Sequence, residues 1–188
     1  ILLILYSIVL TFYPRISLKD YTVPLNTVYL DTGDLLVLSG TSRSERVCRF
    51  FSNSRYSHIC FLARLKDSLY IIESSIGDDY VDGVRIVPFE KFINRWKDRR
   101  SRDYSTSIGV ICKLNTMFHK RPEISKVLDV FNDYIGTGFD TFMLSWCVSN
   151  IIDLGDPSVV FCSQFITMLN RRLEMYPILQ KIFYIRVE

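Results

Sequence analysis

Apolar positions along the chain recur with two different periods, and the switches between them mark the elements. Leu35-Leu36-Val37-Leu38 follows the turn-like Thr32-Gly33-Asp34 and stops at Ser39-Gly40, which reads as a buried strand. Ser42-Arg43-Ser44-Glu45 has capping-box spacing and predicts a short helix to near Asn53, with Val47, Phe50 and Phe51 toward the core and Cys48 packed between them. His58 to Leu65 and Leu69 to Ser74 read as two strands joined at Lys66-Asp67-Ser68. Alternation puts His58, Cys60 and Leu62 on one face of the first strand and Ile59, Phe61 and Ala63 on the other.

Further on, Gly77-Asp78-Asp79 is a turn, Val84 to Val87 a strand, and Pro88 opens a helix through about Trp96. Ser105 to Leu114 alternates weakly as another strand. Pro122 to Tyr134 is amphipathic, with Ile124, Val127, Leu128 and Phe131 on one side, and Gly136-Thr137-Gly138 breaks it before an apolar helix from Thr141 to Ile152. Past the turn-like Asp156-Pro157-Ser158, Cys162 begins a helix whose apolar face is Phe165, Ile166, Leu169 and Leu173. Tyr176 to Val187 is apolar and reads as a last strand or a docking helix. Ile1 to Tyr13 is nearly unbroken in apolar character, but thirteen helical residues cover only about 20 Å of a hydrocarbon core about 30 Å thick. Residues 1–14 are either the remnant of a membrane anchor or signal-like stretch, or an apolar element packed on the domain.

Length and composition change this picture little. At 188 residues with 48% hydrophobic content, residues 15–188 suit one globular domain. A net charge of +3 excludes a strong electrostatic case for nucleic acid; the one dense basic run, Arg95 to Arg102, reads as the solvated end of a helix. Cys48, Cys60, Cys112, Cys147 and Cys162 are odd in number and lack C-x-x-C spacing, so neither a zinc site nor a disulfide framework is expected. A reducing compartment, the cytoplasmic side, fits them. The glycines near 136–138 match no phosphate loop, and no cofactor is implied.

Candidate chemistry then narrows to a few residues. A cysteine in the first turn of a helix lies beside unpaired backbone N–H groups and the positive end of the dipole, which favour the thiolate, the form that attacks carbonyls. The alternative for Cys162 is a small buried hydrophobe. Of the two histidines, His119 lies in the polar stretch His119-Lys120-Arg121-Pro122 and is expected to be exposed, whereas His58 opens a strand. Across a hairpin with an even-numbered loop, partner numbers sum to an odd value, so His58 and Glu73 point to the same side, directly or diagonally adjacent. Glu73 follows Leu69-Tyr70-Ile71-Ile72 in a strand that looks buried, and a buried carboxylate needs such a partner.

Gly33-Asp34-Leu35-Leu36, Tyr56-Ser57-His58-Ile59-Cys60-Phe61, Glu73, Val84-Arg85-Ile86-Val87-Pro88, Tyr134 to Asp140, and Val160-Phe161-Cys162-Ser163-Gln164 occur in that order. Together they resemble the circularly permuted branch of the NlpC/P60 superfamily of papain-like cysteine hydrolases, which takes in YiiX/YaeF-like, lecithin:retinol acyltransferase-like and poxvirus members. That branch carries histidine before cysteine, as here. Gln164 stands where many members have glutamate, and Phe139 where tyrosine is common. The resemblance implies an α+β fold of permuted papain type, an antiparallel sheet packed against helices with the nucleophile at a helix N-terminus. It implies Cys162 as nucleophile, His58 as general base and then acid, and Glu73 as the group that orients the imidazole. Backbone N–H groups around Cys162 and Ser163 would hold the oxyanion, with Tyr56 as an auxiliary or as packing; Asp34 and Asp140 are read as structural.

The expected function is a thiol-dependent hydrolase or acyltransferase acting through a thioester on a peptide, isopeptide or lipid-ester substrate. Residues 1–13 tilt it toward membrane association. Its rival is a binding module that keeps the fold without turnover.

Overall fold

A computed structural model describes residues 27–40, 43–52, 54, 56–76, 82–103, 108–114, 116, 119–139, 159, 160 and 162–175. The expectations for residues 1–26, Ser42, the turn at 77–79, Cys147, Asp140, the 141–152 helix, the 156–158 turn and the 176–187 element lie outside those residues. Among the described residues, no helix is long and apolar enough to cross a membrane.

Five strands form one sheet: β1 (Leu35–Ser39), β2 (His58–Leu65), β3 (Ser68–Ser75), β4 (Gly83–Pro88) and β5 (Ile108–Cys112). Their order is β4-β3-β2-β1-β5, and every neighbouring pair is antiparallel. The β2–β3 hairpin turns on two residues, Lys66 and Asp67, because Leu65 already pairs with Ser68. Lys66 takes the left-handed conformation, φ 52°, that lets a two-residue loop follow the twist of its strands.

Alternation along β2 and β3 separates two cores. On one face Phe61, Ala63 and Ile72 pack with helix α3 (Ile124–Asn132) and helix α4 (Cys162–Arg172), through Val127, Phe131, Phe165, Ile166 and Leu169. On the other, Cys60, Leu62 and Ile71 meet Phe89, Phe92 and Trp96 of helix α2 (Phe89–Asp103). Fully burying side chains of this size contributes roughly 1.5–3 kcal/mol each, so helix layers on both faces hold the sheet.

Three expectations change. Helix α1 (Arg43–Ser52) forms, but Phe50 is exposed and Arg49 is fully buried, its Nη1 donating to Ser39 Oγ at the end of β1 (3.3 Å). Arg49 takes a buried place because the partner of its guanidinium lies in the sheet, which the helix's own sequence does not encode. Pro88 closes β4 opposite Tyr70 instead of opening a helix. A proline is tolerated there because β4 is an edge strand, and α2 starts one residue later and runs past Trp96 to Asp103. His119 is half-buried, not exposed.

Asp34 is structural, as expected. It is fully buried just before β1 and accepts the backbone N–H of Asp31 (2.9 Å) and of Leu114 (3.0 Å), while pairing with Lys113 and with Arg121 Nη1 (3.3 Å). Burial pushes its carboxyl pKa up, but the Lys113 bond and the two N–H donors outweigh that and hold it below the ordinary value. A short parallel pair, β6 (Gly138–Phe139) with β7 (Val159–Val160), lies beside β4, where the Val84 N–H donates to Thr137 O (3.0 Å). The junction demands glycine at 83: φ is +107°, and a Cβ there would stand 2.0 Å from Thr137 O.

Candidate active site

The hairpin register decides what faces His58. Phe61 pairs with Ile72, so one step further Glu73 lies opposite Cys60 and diagonal to His58. On its other side Glu73 pairs with Arg85 of β4. A carboxylate 1% exposed therefore has a partner on each neighbouring strand: His58 Nε2 lies 2.6 Å from Oε2, and Arg85 donates to Oε1 from Nε (2.9 Å) and Nη2 (2.7 Å). Two charge-assisted contacts offset the desolvation of the acid.

The next residue, Ser74, points to the opposite face, and its hydroxyl donates to Val160 O at 2.8 Å. That bond pins β7 against β3 two residues before Cys162, so α4 starts beside the end of β2. Cys162 is the first residue of α4, as the sequence predicts, and the first N–H groups of a helix lack intrahelical acceptors. Behind the sulfur, Phe165, Ile166 and Leu169 anchor the helix in the core. Because His58 is the first residue of β2, its ring stands at the end of the sheet, 17% exposed, where the α4 start can reach it. The Cys162 thiol is both a hydrogen-bond partner and a charge neighbour of the imidazole.

Electrostatics ranks the groups. Burial pushes the Glu73 carboxyl up, but the His58 bond and charge and then Arg85 pull it down to about 2, so it is ionised. Burial works against an imidazolium at His58, yet the sulfurs of Cys60 and Cys162 beside the ring overcome it, and its pKa stands well above the ordinary 6.5. Burial also pushes the Cys60 thiol up to about 12, so Cys60 stays protonated and is no rival nucleophile. The ionised Glu73 carboxylate meets the ring at 2.6 Å.

The structure thus brings together Cys162, His58 and Glu73. Tyr56 is half-buried, its backbone N–H donating to Ser54 Oγ (3.0 Å), and the Ser163 carbonyl accepts Thr167 Oγ1 (2.8 Å) inside α4. Neither contact involves the groups expected to meet an oxyanion, the N–H groups at the start of α4 and the Tyr56 side chain. Two participants were not singled out from the sequence. Arg85 escapes because the β3–β4 register depends on the connection between those strands. Cys60 shares the face of His58 by simple alternation, but a cysteine at that spacing matches no ligand motif. Together His58, Cys60 and Glu73 offer one nitrogen, one sulfur and one oxygen donor, all within 4.8 Å of one another, a set that could hold a metal ion even though the sequence spacing suggested none.

No model of a known protein family matches the sequence, and no curated protein matches it. Among solved structures the chain is similar to the crystal structure of metalloprotein yiiX from Escherichia coli O157:H7. The TM-score is 0.52 at 17% identity, over 77% of this chain and 67% of that one. The likeness is one of fold, and it agrees with the YiiX/YaeF-like resemblance drawn from the sequence.

Proposed function

We propose that this chain, with a fold similar to that of YiiX, is a thiol-dependent hydrolase or acyltransferase of the permuted papain type. One observation carries the reading: a thiol at a helix start and a buried ionised carboxylate are both partners of one imidazole, although the sulfur and the ring lie far apart in sequence. In the attacking form the Cys162 proton already rests on His58, and the sulfur adds to a carbonyl carbon. The oxyanion that forms is held by N–H groups at the start of α4, and Glu73 stabilises the imidazolium. As the intermediate collapses, His58 returns the proton to the leaving amine or alcohol and a thioester remains on Cys162. Water, or an acceptor hydroxyl or amine, then gives up its proton to His58, attacks the thioester and frees the sulfur. Peptide, isopeptide and lipid-ester carbonyls all satisfy this chemistry, and an apolar stretch at 1–13 favours a substrate at a membrane surface.

A second reading rests on the burial of Cys162, which is only 3% exposed. Turnover then requires an opening around the sulfur, whereas a module kept for binding requires none. Iodoacetamide labelling of the full chain, followed site by site by mass spectrometry, separates the two. Catalysis predicts that Cys162 labels faster than the half-buried Cys48 and Cys112, and that His58→Ala slows it by about a hundredfold, the low end of what a general base contributes. Labelling of Cys162 at the pace of the other cysteines, indifferent to His58, favours the binding module.

A further inference from the structure

The two oxygens of Glu73 serve different neighbours. Oε1 is held by Arg85, while Oε2 faces His58 Nε2 at 2.6 Å and Cys60 Sγ at 3.7 Å. The thiol chemistry proposed above uses His58 and Glu73 but leaves Cys60 with no task. We infer that His58, Cys60 and Glu73 form a binding site for a thiophilic divalent cation of the zinc class, and that its occupation withdraws His58 from Cys162. The cation site stands on the donor geometry alone; its inhibitory consequence rests on the thiol-hydrolase reading.

Zinc holds nitrogen and oxygen at about 2.0–2.2 Å and sulfur at about 2.3 Å in a tetrahedron, so its ligand atoms stand roughly 3.3–3.7 Å apart. The Cys60–Glu73 separation already has that size. The His58–Glu73 contact needs to open by roughly 0.7 Å as the cation replaces the shared proton. Mixed nitrogen, sulfur and oxygen donors suit zinc, whereas magnesium and calcium take oxygen alone. Arg85 on Oε1 orients the carboxylate so that Oε2 stays aimed at the cation, the usual office of an outer partner. Binding releases the thiol proton of Cys60 and the proton between His58 and Glu73 to solvent, and no redox step is involved. A water completes the tetrahedron.

The test titrates the reduced full-length chain with cobalt(II), whose thiolate complexes absorb in the near ultraviolet. The expected result is one bound equivalent with a thiolate band that survives Cys162→Ser. Cys60→Ser abolishes or strongly weakens the band and raises Kd at least about tenfold. Because Cys60 is fully buried and its variant can misfold, zinc-loaded wild type is also measured by X-ray absorption, which should show sulfur beside nitrogen and oxygen in the first shell. No saturable binding, a shell of nitrogen and oxygen only, or a band that persists in folded Cys60→Ser overturns the site. With zinc bound, iodoacetamide labelling of Cys162 should slow and a chelator should restore it; unchanged labelling overturns the inhibitory half. A metal-free protein that cleaves no ester or amide sinks the hydrolase reading and leaves the cobalt result standing, so the two failures are distinguishable.

Discussion

Replacing Glu73 by Gln isolates the charge at the centre of the site. In the wild type the carboxyl is 1% exposed and sits between His58 and Arg85, which hold its pKa near 2 against an ordinary 4.5. Its folded value is depressed, so the stability it contributes is fully present above pH 4.5 and is lost as pH falls toward 2. A difference of that size corresponds to on the order of 3 kcal/mol. Near neutral pH, Glu73→Gln leaves a buried guanidinium and imidazole without their anion and should cost about 3–5 kcal/mol. Urea unfolding followed by tryptophan fluorescence between pH 3 and pH 7 reads both effects. The gap between the two proteins should be widest at pH 5–7 and narrow steadily below pH 4.5, because the amide cannot titrate and the wild type progressively loses its advantage. The acid sensitivity that remains in the variant belongs partly to Asp34, whose pKa is also lowered. A gap that stays constant from pH 7 to pH 3 would refute the placement of an ionised Glu73 between two cations.

Other perturbations follow from the same geometry. The raised pKa of His58 makes its contribution complete below pH 6.5 and lost as pH rises through the folded value, so His58→Gln should flatten the alkaline side of the wild-type stability profile; an unchanged profile counts against a raised imidazole pKa. Arg85→Met removes one of two partners from Glu73 and should lower stability by about 3 kcal/mol while slowing Cys162 labelling, and wild-type values in both assays would show the ion pair to be idle. Gly83→Ala forces a Cβ to within 2.0 Å of Thr137 O at a positive φ and should cost about 2 kcal/mol or more in a urea melt; a neutral effect would contradict the β4–β6 junction. Phe165→Ala, fully buried in α4, should cost about 3–5 kcal/mol and loosen the start of the helix, read as a changed Cys162 labelling rate in protein that is still folded.

Local pattern was enough for a good part of this. The period-two alternation from His58 to Ser74 identified the hairpin, and parity alone placed Glu73 on the side of His58, because side chains in a strand can point only two ways. The helical spacing after Cys162 put the sulfur at a helix start, and Glu73 was legible as a buried acid that needed a partner. What the pattern could not reach was anything settled by a neighbour remote in sequence. Phe50 reads as a core residue, but it is Arg49, bonded to Ser39 of β1, that is buried. Arg85 becomes a partner of Glu73 only through the β3–β4 register, and Cys60 becomes part of a cation-capable cluster only when Glu73 lies opposite it.

The amino-acid order by itself determined the strands of the five-stranded sheet, the helix that opens on Cys162 and the side on which the acid and the imidazole lie, since each follows from steric alternation or helical period within a few residues. Bringing the thiol to the ring was left to the tertiary structure. It depends on Ser74 holding Val160 across the sheet and on Phe165, Ile166 and Leu169 sinking into the core, contacts between segments about ninety residues apart. Such contacts form only when burial and hydrogen bonding outweigh the entropy of closing long loops, and no local pattern records which of them do.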